Sequence, residues 1–216
     1  MARRRDAGMS LVETLVGVAL FGVIVALVGS FVVDMLRTST ATSSRLANVD
    51  QLRVALDGMT KGLRTAVRPE QVNAACVASG CDEAFQTATP SEVTFWANYG
   101  DAAKARLTTY RVQENLPLRP GTGRLIEEQR AASTPGATTV ACGSTCTTRV
   151  LVVDLPYPVV APIFTFADDT RATLAAPVDR AAISTVTINV PVDGGRDYEG
   201  TSVTSTVFLP NSILGR

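Results

Sequence analysis

The chain has 216 residues, with 20 Lys and Arg against 20 Asp and Glu, and no histidine. This balance excludes the strongly basic footprint of a nucleic-acid binder, and the missing histidine removes the commonest general base and transition-metal ligand. Residues 1–8 hold three arginines and one aspartate, so the remainder is mildly acidic, with 17 basic against 19 acidic side chains.

Residues 14–33 carry no charge and are bracketed by Glu13 and Asp34. As a helix rising ~1.5 Å per residue, this run covers about 30 Å, the thickness of one bilayer core. Arg3, Arg4 and Arg5 lie just before it. Positive charge in a short flank predicts a cytoplasmic N-terminus and an exported remainder in a single-pass inner-membrane topology. Leader and anchor set aside, about 150–180 residues remain, enough for one globular head with its own core. A secretory signal would have a shorter apolar stretch ending at a small-x-small site. The nearest such site, Ser39-Thr40-Ala41, is poorly placed, well beyond Val33.

The better processing signal is upstream: a short basic leader ending in Gly8, then Met9-Ser10-Leu11-Val12-Glu13 and the apolar run. This N-terminus resembles that of type IV prepilins and pseudopilins. The resemblance implies cleavage by a prepilin peptidase between Gly8 and Met9, methylation of Met9, and assembly with other pilin subunits through the N-terminal helix. The first mature residue is more often phenylalanine in that family, so Met9 is a departure. Glu13 takes the place of the family's glutamate, which pairs with the N-terminal amine of a neighbouring subunit. Physical chemistry agrees with that role, because a charged side chain at the centre of an apolar span costs about 2.5–3.5 kcal/mol, less near an interface, and so favours a partner. Ser10 to Glu13 also fits a capping box, in which Glu13 only satisfies a backbone donor at the helix start. Gly17, Ala19, Gly22, Ala26 and Gly29 suit close approach of sister helices in lipid, and no proline kinks the run.

After Val33 the run of Thr and Ser from Thr38 to Ser44 predicts a membrane exit and a loosened helix. Leu46, Val49, Leu52, Leu56, Met59 and Leu63 then recur at spacings of three and four, the apolar face of an amphipathic helix. Arg45, Asp50, Arg53, Asp57, Lys61 and Arg64 line the other face. Pro69 predicts an end near Ala66 to Arg68. Gly58 and Gly62 each cost about 1 kcal/mol relative to alanine, which close approach of a strand would explain. The expected domains are a leader over 1–8, a long helix over 9–68 with its transmembrane half at about 14–33, and a β-rich exported head over 69–216.

In the head, Val93, Phe95 and Ala97 alternate with polar neighbours and lead to an Asn98-Tyr99-Gly100-Asp101 turn. Residues 107–113, 123–128, 149–155 and 162–167 follow as shorter strand candidates. Val186, Ile188, Val190 and Val192 alternate strictly, and Pro191 predicts a strand end or an edge. Asp193 to Arg196 supply turn chemistry before Val203, Ser205, Val207 and Leu209, predicting an antiparallel hairpin. The fold class is therefore α+β, a long N-terminal helix packed on an antiparallel sheet, as in pilins. The fragments Leu63 to Pro69, Glu92 to Trp96, Thr109 to Val112 and Val207 to Asn211 resemble minor pilins and J-type minor pseudopilins.

Cysteines come as two close pairs, Cys76 with Cys81 and Cys142 with Cys146. In an exported head they read as disulfides. Three connectivities are open, and the glycine-bearing local loops favour pairing within each couple. The gaps do not suit a tetrathiolate metal site. Asp193, Asp197 and Glu199, like Asp168 and Asp169, read as solvated turn charges without the spacing of an EF-hand loop. No histidine and no G-x-S-x-G accompany the many serines, so no catalytic residue, cofactor or metal is expected. The expected function is a structural subunit of a type IV pilus, a competence pilus or a type II secretion pseudopilus. The rival is a single-pass, signal-anchored surface protein whose head binds a ligand or partner, with Gly8 and Glu13 incidental. Glu13→Gln keeps most capping ability but loses the charge. It is expected to be processed yet incorporated into filaments several-fold less well, read by immunoblot of sheared filaments; normal incorporation would rule out charge pairing.

Overall fold

The computed structural model describes residues 11–74, 76, 81–100, 104–115, 117, 120–130, 146–192 and 201–210. The chain divides into two compact units, residues 1–47 and 48–216. Helix α1 is Leu11–Arg64, and every described residue of the first unit belongs to it. The Thr38–Ser44 run, where loosening was expected, is helical. Thr38, Thr40 and Thr42 donate their hydroxyls to the carbonyls of Asp34, Leu36 and Thr38, each at 2.9 Å. Hydroxyls satisfied on their own helix leave the backbone no alternative to pursue.

In the second unit, Leu52, Ala55, Leu56, Met59 and Leu63 of α1 are buried, while Arg53, Asp57, Lys61 and Arg64 are exposed. The predicted apolar face therefore covers a core over these turns. Each such large side chain contributes about 1.5–3 kcal/mol on burial. Strands β1 (Phe85–Ala88), β2 (Glu92–Ala97), β3 (Arg106–Glu114), β4 (Thr122–Arg130) and β5 (Cys146–Pro156) form an antiparallel sheet in chain order. Strands β6 (Phe164–Ala167), β7 (Thr185–Val192) and β8 (Thr201–Phe208) form a second, smaller antiparallel sheet, also in order. The architecture is thus α+β and pilin-like, with two sheets where a single sheet was expected. Both sheets and α1 share one core: Phe95, Tyr110 and Leu125 from the first, Phe164, Ile188 and Val207 from the second, Met59 and Leu63 from the helix.

Helix α1 stops at Arg64, slightly before the expected end, because β2 takes over the backbone. Ala66 bridges Ala97, Val67 N–H donates to the Trp96 carbonyl and Asn98 N–H to the Thr65 carbonyl, both at 3.0 Å. A short helix α2, Pro69–Val72, begins on the proline that cannot continue α1. Its Val72 packs on the satellite cluster of Trp96, Ala105 and Leu107 on the other face of the sheet. The Asn98 turn forms as predicted, with Gly100 at φ +96° and its N–H bonded to Asn98 Oδ1 at 2.9 Å. β7 and β8 form the expected hairpin partners. β7 is the central strand, and Pro191 sits near its end, past Ile188, where the β6 pairing begins at Phe164.

The two helix glycines separate. A Cβ on Gly62 would collide with the Tyr110 hydroxyl of β3, whereas one on Gly58 would meet only the Arg149 guanidinium at 3.4 Å. Close approach of a strand therefore explains Gly62. Tyr110 is fully buried, and its hydroxyl donates to Glu127 Oε1 at 3.2 Å. Gln129 Nε2 donates to the same oxygen at 3.0 Å, and Arg149 Nε lies 3.3 Å from Glu127 Oε2. Tyr99 and the buried Thr108 share a hydroxyl hydrogen bond of 3.2 Å. Burial pushes the Tyr110 phenol far above its ordinary pKa, and the charges of Glu127 and Tyr99 add to the rise; Tyr99 is raised mainly by burial.

Trp96, the single tryptophan, reports on the head alone. Gly62→Ala is expected to cost about 1–3 kcal/mol through overpacking, partly offset by ~1 kcal/mol of helix propensity. Gly58→Ala keeps the propensity gain and is expected to stabilise by up to about 1 kcal/mol. Opposite shifts of the Trp96 unfolding midpoint support this reading, and equal shifts refute it. The native head holds the Tyr110 proton above pH ~10, where the unfolded chain releases it. The stability contributed by this group is therefore fully present below that pH and is progressively lost above it. Tyr110→Phe is expected to make the alkaline decline shallower by about 1.4 kcal/mol per pH unit, measured by urea unfolding of the full chain; an unchanged decline refutes it.

Candidate functional site

The apolar segment Leu11–Thr40 contains an 18-residue stretch of mean hydropathy 2.7, and none of the segment is buried. Every large apolar side chain from Leu11 to Leu36 is exposed. Leaving so many such groups in water rather than burying them would cost on the order of 30 kcal/mol. The segment therefore needs lipid or other helices around it. Length and composition suit a single membrane crossing, consistent with a single-pass inner-membrane protein. Its hydroxyls are satisfied internally, Thr14 on the Leu11 carbonyl and Ser30 on that of Leu27, both at 2.9 Å. Asp34 and Arg37 pair at 3.9 Å where the uncharged run ends; being exposed, the pair adds little stability.

Glu13 occupies the first turn of α1, where the helix dipole favours an anion. Among the described residues its carboxylate makes no hydrogen bond or ion pair. Ser10, its partner in the capping-box reading, lies outside the described residues, as do Gly8 and Met9. A Cβ at Gly17, Gly22 or Gly29 would meet nothing within 4 Å, so nothing among the described residues requires those glycines.

In the head, Cys76 and Cys81 form a disulfide with Cα atoms 5.8 Å apart. A loop this short contributes about 2 kcal/mol by chain entropy. Cys146, at the start of β5, is also disulfide-bonded, and Cys142 lies outside the described residues. Asp168 Oδ1 accepts from Thr170 Oγ1 at 2.7 Å and from the N–H groups of Thr170 and Ala172 at 2.9 Å. These bonds hold its carboxyl below the usual carboxylate range and give it a turn-stabilising role. Asp193, Asp197 and Glu199 lie outside the described residues. Among the described residues no group of three His, Cys, Asp or Glu is placed to hold a metal ion.

Sequence reasoning missed the Tyr110, Glu127 and Arg149 cluster, which joins β3, β4 and β5 beneath α1. These residues are neighbours only through strand register, Tyr110 opposite Glu127 and Glu127 opposite Arg149. No local pattern marks them.

Residues 3–29 match the family model for the prokaryotic N-terminal methylation motif. That stretch spans Gly8, Met9 and Glu13 and most of the apolar run. No curated protein and no solved structure matches the chain. The motif, with the apolar helix behind it, makes the N-terminal part of this chain similar to that of type IV prepilins.

Proposed function

We propose that the chain is a minor subunit of a type IV pilus, competence pilus or type II secretion pseudopilus. The observation that carries the reading is the methylation motif over residues 3–29 leading directly into a fully exposed apolar helix. In this reading residues 1–8 are a cytoplasmic leader, removed by prepilin peptidase between Gly8 and Met9, and Met9 is methylated. Residues 9–68 form the assembly helix, with residues 14–33 in the membrane before assembly, and residues 69–216 are the exported head. Arg3, Arg4 and Arg5 keep the leader inside.

Assembly replaces lipid around the apolar helix with sister helices. Gly17, Gly22 and Gly29, which pack against nothing among the described residues, let those helices come close. Glu13 then meets the amine that cleavage creates on a neighbouring Met9, a pairing favoured by its lack of any described partner and by the cost of a charge in lipid. The role is structural, and the motif favours a subunit over a catalyst. The chain extracted from membranes of peptidase-competent cells is expected to begin at a methylated Met9, read by N-terminal sequencing and intact-mass spectrometry. An intact leader there would overturn the proposal in favour of a signal-anchored surface protein.

A further inference from the structure

Edge strands expose backbone donors and acceptors that template further strands, and proteins usually cover or disarm them. The head does so at three of its four edges. On β1, the Gln86 carbonyl accepts from Arg180 Nη1 at 2.6 Å, and Arg180 is held by Glu83 at 2.7 Å. On β6, Phe164 N–H donates to the Pro90 carbonyl at 3.0 Å and the Phe166 carbonyl accepts from Leu174 N–H at 2.9 Å. β5 carries two register shifts against β4, the charged Arg149 and Asp154, and a left-handed Asp154 at φ +56°. Its Leu151 carbonyl also accepts from Gln51 of α1 at 3.4 Å.

Among the described residues the fourth edge, β8, shows none of these devices. From Thr201 to Phe208 it contains no charge, proline or glycine. The phase of its ladder follows from one bond, Leu209 N–H to the Ser184 carbonyl at 2.9 Å. In an antiparallel pair, hydrogen-bonded residues alternate with residues whose groups point away. Given the register of Val207 with Val186 and Ser205 with Ile188, Ser202, Thr204, Thr206 and Phe208 direct their backbone groups outward. All four are exposed, and no backbone bond from another described segment reaches them.

We propose that β8 pairs antiparallel with β8 of a second copy, joining two heads through one continuous six-stranded sheet. The edge is self-complementary. Setting Thr204 opposite Thr206 of the second copy also sets Ser202 opposite its Phe208, so every outward-pointing residue faces another, with about eight hydrogen bonds in all. Facing polar side chains already pair on this sheet, the Thr187 hydroxyl with that of Thr206 and the Thr204 hydroxyl donating to Asn189 Oδ1, each at 3.2 Å, and such cross-strand pairs are favourable. Arg171 lies over the Phe208 ring at 5.5 Å, marking one end of the edge with a positive charge. Antiparallel pairing puts the two arginines at opposite ends, about 20 Å apart, beyond the Debye length of about 8–10 Å; parallel pairing would crowd them. The pairing is independent of N-terminal processing and of the proposed assembly role.

The test is light scattering on the full chain in detergent micelles, corrected for bound detergent. The unaltered chain is expected as a dimer. Thr204→Lys with Thr206→Lys, two exposed substitutions that bring four positive charges together, is expected to halve the protein mass with Trp96 fluorescence unchanged. Thr204→Lys with Thr206→Glu, which forms two opposite-charge pairs only in this register, is expected to restore the dimer. A monomeric unaltered chain overturns the proposal, as does a dimer that survives the double lysine change, since association would then lie elsewhere, as in the apolar helix. Failure of the Lys/Glu chain to dimerise overturns the register.

Discussion

The head depends on one face of α1. Leu52, Ala55, Leu56, Met59 and Leu63 are buried in a core to which both sheets contribute. The two sheets also touch each other directly, β5 against β7. The closest approach is at Gly62, where the absent side chain makes room for the Tyr110 ring. A glycine that would cost about 1 kcal/mol in an isolated helix thus lets a fully buried tyrosine of β3 lie against the helix backbone. Glu127 and Arg149 then extend that contact across β4 and β5.

The same helix meets two different environments. Over residues 11–40 its apolar side chains are exposed on all sides, which is how a helix surrounded by lipid or by other helices reads. Over residues 52–63 only one face is apolar, and the charged face carries Asp57 and Lys61, paired at 2.7 Å in an exposed i, i+4 contact worth a few tenths of a kcal/mol. Between them the helix continues, with the Thr42 hydroxyl donating to the Thr38 carbonyl at 2.9 Å. Charge, apolar spacing and burial all tell these regions apart, and the family motif overlaps only the first of them.

The edges of the sheets show a further economy. Arg180 reaches across to β1, and residues 90 and 174 satisfy β6, all through groups distant in sequence. The edge at β8 is the exception among the described residues, and it is also the most regular strand, without shift or bulge along its eight paired positions.

Much of this protein could be read locally. The uncharged run between Glu13 and Asp34, the three-and-four spacing from Leu52 to Leu63, the alternation in β2 and β7 and the turn at Asn98 all follow from side-chain periodicity and turn chemistry, which neighbours in sequence determine. The proposed roles of residues 1–8, Met9 and Glu13 rest on resemblance alone, because that chemistry involves groups outside the chain. Other features needed the tertiary structure. β1 has only four residues and is a strand because β2 pairs with it; α1 ends at Arg64 because β2 captures the next backbone groups. Gly58 and Gly62 look alike in sequence, yet only Gly62 lies beneath a buried ring. The division into two sheets, the Tyr110 cluster and the open edge of β8 arise from register between distant segments, and a periodicity within one strand carries no information about which strand will lie beside it.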